Sequence, residues 1–294
     1  MAIKVLNPGA ITTVQDEGRF GYQQFGMSCS GVMDLAAYRT ANRLLGNTGT
    51  EAVLEYTLFG GIYSFDQDTV IALTGADMNP TLGKVPVSMN RPIRVKAGET
   101  LCLSTAASGC RTYLGVQGGI LVPKVMGSRS TNIKCGIGGF CGRRLQAGDI
   151  LKTAEPDYSL IPSSFYDLPE HPVYPSHVSL RVIEGPQADY FSEEEKHTFY
   201  SSSYTVSAES DRMGCRLNGP AVKSLHGTDI ISDGIVFGSI QITSSGQPII
   251  MTADRQTTGG YAKIATVCSF DLPALAQCRP GASVCFQRIR LEDL

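Results

Sequence analysis

Apolar residues along this chain come in short runs, each broken by Gly, Pro, Asn or Asp, as in Val70-Ile71-Ala72-Leu73-Thr74, Thr112-Tyr113-Leu114-Gly115-Val116 and Pro248-Ile249-Ile250-Met251. Short apolar runs bounded by turn residues are the pattern of strands joined by tight turns, so the expected fold class is mainly β. Three stretches carry helical spacing instead. Asp34 stands where an N-cap belongs, ahead of a stripe of Leu35, Tyr38, Asn42 and Leu45, and Gly46-Asn47 supplies the stop, which predicts a helix over 35–45. A second helix is predicted over 187–200, acidic at Glu193, Glu194 and Glu195 and anchored by Tyr190, Phe191 and Phe199. A third, short helix is predicted behind a capping Asp271, with Pro273 in its first turn.

One small unit recurs as KAGETL (96–101), QAGDIL (146–151) and RPGASV (279–284), each a glycine turn feeding a strand. Its presence in both halves fits two related β domains. Between residues 153 and 179 five prolines (Pro156, Pro162, Pro169, Pro172, Pro175) interrupt any periodicity, which places a boundary there. The expected division is 1–165 and 166–294. The same segment also reads as a strap over the first domain, because Phe165, Tyr166 and Tyr174 are too apolar for a free linker.

A length of 294 residues favours two globular units over one, and the balance of 42% hydrophobic to 18% charged residues is that of a folded globular protein. Net charge is −2 with Lys and Arg scattered, so neither nucleic acid nor an anionic membrane is an expected partner. The start MAIKVLNPGA has neither the charge nor the apolar core of a signal peptide, so the expected compartment is the cytoplasm. Nine irregularly spaced cysteines with no CxxC pair, several of them inside apolar runs, read as buried thiols, and His171, His177, His197 and His226 are dispersed, so no metal site is expected.

Two segments imitate catalytic signatures and fail. Gly83-Lys84 is followed by Val85 where a phosphate-binding loop needs Ser or Thr, and Gly26-Met27-Ser28-Cys29-Ser30 has Ser30 where a nucleophile elbow needs glycine. Three other segments crowd charge, amide and glycine into apolar β sequence: 13–19 (TVQDEGR), 210–216 (SDRMGCR) and 253–261 (ADRQTTGGY). Each holds an Asp near an Arg and at least one Gly. Asp fixes a guanidinium or takes a proton, Arg grips a carboxylate or phosphate with two parallel bonds, and Gly lets backbone N–H groups approach a ligand. That combination suits an anionic, amide-like substrate. Turn chemistry alone also accounts for such segments, with Asp bonding its own backbone and Arg in solvent. Arg129, between Ser128 and Ser130 and near Gly118-Gly119 and Gly138-Gly139, stands open to the same two readings.

In order, TTVQDEGRFGYQQFG, GVMDLAAYRTANRLLGN, GSRST, DRMGCRLNGP, GSIQ and DRQTTGGYAKIATV resemble the KipA/PxpC family, also described as allophanate hydrolase subunit 2 or biotin-dependent carboxyltransferase-like proteins. The resemblance implies two cyclophilin-like β-barrel domains with a few short helices. It implies the C subunit of an ATP-dependent 5-oxoprolinase, a hydrolase that acts on a cyclic amide and is active only with a KipI/PxpB-like subunit and a LamB/YcsF (PxpA)-like subunit. ATP enters as co-substrate with Mg, and no biotin is attached, since the chain has no Met-Lys-Met attachment motif. The catalytic roles implied fall to Asp211, Arg212, Asp254, Arg255 and Tyr261. Substrate binding falls to Gln15, Asp16, Arg19, Arg129, Gln241, Gln256, Thr258, Gly259 and Gly260. The alternatives are a non-catalytic KipA-type regulator of a KipI-like protein and a component of the allophanate or urea pathway.

Overall fold

The computed structural model describes residues 1–162 and 168–293. They fall into two compact units, Met1–Phe20 with Ser30–Tyr174, and Gly21–Cys29 with Pro175–Leu294. The expected 165/166 boundary, with Phe165 and Tyr166, lies outside the described residues. The chain leaves the first unit after Tyr174, and residues 21–29 form part of the second.

The first unit contains two sheets. One has the strand order Ile150–Lys152, Ala2–Asn7, Ile62–Phe65, Thr100–Cys102, Thr81–Leu82, Val85–Pro86. The other runs Ile11–Gln15, Val53–Thr57, Ser108–Val116, Thr69–Asp77, Pro92–Val95. The second sheet is covered on both faces, and residue parity shows how. Leu54, Ile71 and Leu73 join Ile3, Val5 and Tyr63 in the main core, whereas Val53, Val70 and Ala72 meet the helix side. That is why Thr69–Asp77 is buried at every position and carries apolar residues at four consecutive positions, Val70 to Leu73, where a one-sided strand would alternate.

Helix α1 (Leu35–Leu44) is the covering element. The Asp34 carboxylate accepts from Ala37 N as the sequence predicts, and Tyr38, Leu44 and Leu45 are buried. Residues 168–174 are a strap sewn to this unit. Asn90 Nδ2 donates to Pro169 O (2.7 Å), Met89 N to Glu170 O (3.0 Å) and Tyr174 N to Ser108 Oγ (2.7 Å).

The second unit is a closed seven-stranded barrel, in order His177–Glu184, Lys263–Val267, Ser239–Ile242, Pro248–Met251, Gly214–Asn218, Ser203–Val206, Ser283–Arg288. Closure comes from a parallel pairing of the first and last of these strands. The alternating Val178, Leu180 and Val182, with Val284 and Phe286, fill the interior. Phe199 of α2 (Glu193–Ser201) stacks on Phe286 with centroids 4.5 Å apart. A separate two-stranded ribbon, Asp229–Gly234 with Thr258–Tyr261, completes the unit.

Two helix expectations need correction. The helix expected over 187–200 breaks into a 3₁₀ turn at Ala188–Tyr190 and α2, because the Ser192 side chain accepts from Glu195 N and starts a new N-terminus. The third helix, α3 (Leu272–Ala276), carries Pro273 near its start, but the Asp271 side chain does not cap it. Its carboxylate instead accepts from Arg181 N, Nε and Nη2, because a guanidinium offers stronger, bidentate bonds than an amide. The three repeated turns share one device. Gly98, Gly148 and Gly281 all sit at positive φ, and each donates its N–H to a neighbouring backbone carbonyl, of Phe65, Val5 and Val206 respectively. No helix among the described residues is long and apolar enough to cross a membrane.

Candidate functional site

In the first unit the strand Ile11–Gln15 delivers Gln15 and Asp16 to a loop running from Val125 to Thr131. The Asp16 carboxylate, 6% exposed, accepts four hydrogen bonds: from Gly18 N (3.0 Å), Ser128 Oγ (2.6 Å), Arg129 N and Ser130 Oγ. Arg19 is fully buried and donates Nε to Val125 O (3.0 Å) and Nη2 to Ser130 O (2.9 Å). Gln15 Nε2 donates to Thr131 O (3.1 Å), and Arg129 Nε to Val122 O (3.1 Å). The four predicted residues therefore do meet, and together they clamp one loop.

Gly138 and Gly139 complete the clamp by close approach. A Cβ at Gly138 would lie 2.7 Å from Arg19 Nη2, and one at Gly139 would lie 1.8 Å from Thr131 Oγ1. The same loops border a cavity of about 540 Å³ whose walls include Val122, Ile137, Phe140 and Lys152.

In the second unit the strand pairing of Gly214–Asn218 with Pro248–Met251 brings segments 210–216 and 253–261 together. Arg212 and Asp254 form a buried bidentate pair, Nε to Oδ2 at 2.9 Å and Nη2 to Oδ1 at 3.1 Å. The backbone repeats the union, with Asp254 N donating to Arg212 O at 2.7 Å. Asp211 is exposed, and its carboxylate closes its own turn by accepting from Met213 N (2.8 Å) and Gly214 N (3.0 Å).

Arg255 is held differently from Arg212. Its Nε donates to Ile235 O (3.2 Å) and Nη1 to Thr252 O (3.3 Å), Nη2 lies 3.9 Å from Cys29 Sγ, and the guanidinium carbon sits 5.7 Å from the centre of the Phe237 ring. Among the described residues no carboxylate pairs with it. Burial lowers the pKa of this guanidinium from its ordinary value. An arginine fixed by neutral acceptors keeps its charge available for an anion.

Beyond Arg255 the chain turns through exposed Gln256 into the ribbon strand of Thr258, Gly259, Gly260 and Tyr261. Beneath it buried Gln241 donates Nε2 to Tyr261 O (3.3 Å), and a Cβ at Gly259 would lie 2.7 Å from that same nitrogen. A side chain at position 259 would therefore press on the Gln241 amide where it meets the ribbon.

Sequence reasoning misses several participants. Ser128 and Ser130 do the clamping around Asp16, and their placement either side of Arg129 is a readable signal. Cys29 and Gln23 join the surroundings of Arg255, with Gln23 Nε2 lying 3.0 Å from Cys29 Sγ and Ser28 Oγ donating to Arg255 O at 2.7 Å. Lys263, 3% exposed at its side chain, pairs with Asp233 at 2.6 Å. A lone lysine inside the apolar run Ala262-Lys263-Ile264-Ala265 is its signal. Among the described residues no group of three His, Cys, Asp or Glu is placed to hold a metal ion; the cysteines are free thiols, but Cys135 and Cys141 are exposed and not buried as expected, because they lie in a loop outside the strands.

Residues 25–288 match the carboxyltransferase domain family, subdomains A and B. The chain is similar to the 5-oxoprolinase C subunit of Haemophilus influenzae, 38% identical over 99% of this chain and 92% of that protein. It is 37% identical to the 5-oxoprolinase C subunit of Escherichia coli with the same coverage. Among solved structures, the Kluyveromyces lactis urea carboxylase superposes with a TM-score of 0.89 at 35% identity over 98% of this chain. The chain spans 27% of that protein, and 19% of the K. lactis urea amidolyase, which superposes equally well. The chain belongs to the carboxyltransferase domain family, alongside the 5-oxoprolinase C subunits and the corresponding part of the urea amidolyases.

Proposed function

We propose that this chain is the C subunit of an ATP-dependent 5-oxoprolinase complex, which converts 5-oxo-L-proline to L-glutamate in the cytoplasm. The observation that carries the reading is coverage. The 5-oxoprolinase relatives are matched across 92% of their length, whereas the urea amidolyase is matched across 19% of its own. The partners are a KipI/PxpB-like subunit and a LamB/YcsF (PxpA)-like subunit, and the active surface is shared with them.

The chemistry asks for polarisation of a resonance-stabilised lactam. In this reading the γ-phosphoryl group of ATP passes to the amide oxygen and ADP leaves; one water adds to the activated carbon, the ring C–N bond opens to give an acyl phosphate and the free amine, and a second water displaces phosphate to give the carboxylate. ATP is the co-substrate, with Mg²⁺ held on its phosphates. Arg255 grips the substrate carboxylate or the phosphoryl oxygens, because its guanidinium charge is not neutralised by a neighbouring carboxylate among the described residues. Arg212, already engaged by Asp254, positions the loop that carries Arg255. Gln241 and the Thr258–Tyr261 strand shape the floor, with Gly259 and Gly260 giving a ligand close access to backbone. In the first unit Asp16 and Arg19 keep the loop bearing Arg129 in one conformation.

The test is reconstitution. Purified chain and both partners are assayed singly and together for 5-oxoproline-dependent ATP hydrolysis, with urea and allophanate as competing substrates. Turnover that requires this chain and 5-oxoproline supports the reading. Turnover by the partners alone, suppressed on adding this chain, identifies a regulator instead, and preference for urea or allophanate identifies the other branch of the family.

A further inference from the structure

An ammonium group is costly to bury unless it is paired and fully bonded, so a lysine at 3% side-chain exposure needs a reason. Lys263 opens a barrel strand whose neighbours Ala262, Ile264 and Ala265 all belong to the core. Its own side chain leaves the core and reaches the ribbon. Nζ donates to Asp233 Oδ2 at 2.6 Å and to Gly234 O at 2.9 Å, both on the outer ribbon strand. Gln187 closes the ring, accepting from Lys263 N through Oε1 (3.3 Å) and donating Nε2 to Asp233 Oδ2 (3.4 Å).

The ribbon has little else to hold it. A two-stranded ribbon is marginal by itself, and the outer strand is almost wholly exposed, with Ile231 at 95%. Its continuation matters for the site. Ile235, next after Gly234, donates its N–H to Thr257 O and offers its carbonyl to Arg255 Nε at 3.2 Å. The barrel strand pairing is bulged between Ile240 and Gln241, which sets Lys263 opposite Gln241, the residue that holds the inner ribbon strand at Tyr261.

We propose that Lys263 is a positioning residue: by anchoring Asp233 and Gly234 it fixes the Ile235 carbonyl, and through it the orientation of Arg255. The effect on turnover rests on the function proposed above; the effect on the ribbon does not.

The experiment compares wild type, Lys263→Met, Lys263→Arg and Asp233→Asn as full chains within the reconstituted complex. Amide hydrogen exchange over 229–234 and 258–261 is measured beside 5-oxoproline kinetics. Lys263→Met keeps the barrel intact, because an apolar side chain of similar length replaces a buried ion pair with little loss. Exchange in the ribbon rises at least about tenfold while the barrel strands Ser239–Ile242 and Pro248–Met251 stay protected. KM for 5-oxoproline rises about tenfold or more, and Lys263→Arg restores part of both. Unchanged ribbon exchange in Lys263→Met and Asp233→Asn overturns the proposal. If Lys263→Met does not fold, Asp233→Asn decides by the same exchange readout, since Asp233 is half exposed. If the wild-type complex lacks 5-oxoproline turnover, the functional reading fails while ribbon exchange still decides the role of Lys263.

Discussion

Arg212 and Asp254 face each other through two side-chain hydrogen bonds and share a third through their backbones, and both side chains are nearly closed to solvent. A pair buried this way contributes chiefly by its mutual satisfaction, so removing the guanidinium leaves the buried Asp254 carboxylate without its bidentate donor. Arg212→Ala therefore lowers stability by about 3–5 kcal/mol, read as a shift of the denaturant midpoint.

Asp16 gathers two hydroxyl and two backbone donors onto one carboxylate. An asparagine keeps the shape but turns half of the acceptor group into a donor aimed at other donors. Asp16→Asn costs the first unit about 2 kcal/mol and loosens the loop from Val125 to Thr131, which hydrogen exchange of those residues reports.

The Arg143 guanidinium, bonded to both oxygens of Asp149 at 2.8 Å, holds that carboxyl below its ordinary range. A carboxylate depressed in the folded state gives stability that is present above the unfolded pKa of about 4 and is lost as pH falls through the lower folded value. The acid limb of the stability curve is thus steeper in wild type than in Arg143→Met. Denaturant midpoints measured from about pH 6 down to about pH 2 show the two proteins converging at the acid end.

A methyl group at Gly259 would meet Ile235 Cδ1 at 2.5 Å and Gln241 Nε2 at 2.7 Å. Both are far ends of flexible side chains, so Gly259→Ala costs only about 1 kcal/mol of stability. It displaces Gln241 from the Tyr261 carbonyl, and turnover in the assembled complex falls further than the stability loss accounts for.

Sequence signals are legible here where the physics is local. The α1 cap at Asp34 depends on a neighbour three residues away, and the positive φ of Gly98, Gly148 and Gly281 is a property of each residue itself, so these stand where the sequence puts them. The burial of the strand Thr69–Asp77 on both faces is foreshadowed by its consecutive apolar residues Val70 to Leu73. Partner choice over long separations is not legible. Asp271 has the sequence setting of a cap, but Arg181, far away in the chain, claims its carboxylate. The Asp–Arg–Gly composition of segments 13–19, 210–216 and 253–261 does mark them as dense in polar contacts. It does not distinguish an arginine neutralised by a carboxylate, as Arg212 is, from one held by carbonyls, as Arg255 is. Lys263 escapes because its partner Asp233 is reached only through the fold of the ribbon.

The central claim is that this chain brings Arg255 to the shared active surface as an anion-binding group. The measurement is 5-oxoproline-dependent ATP hydrolysis by the reconstituted complex carrying Arg255→Ala, with assembly checked by size-exclusion chromatography. The account predicts an assembled complex with turnover lowered about 10²-fold or more. An assembled complex with near wild-type turnover would contradict it.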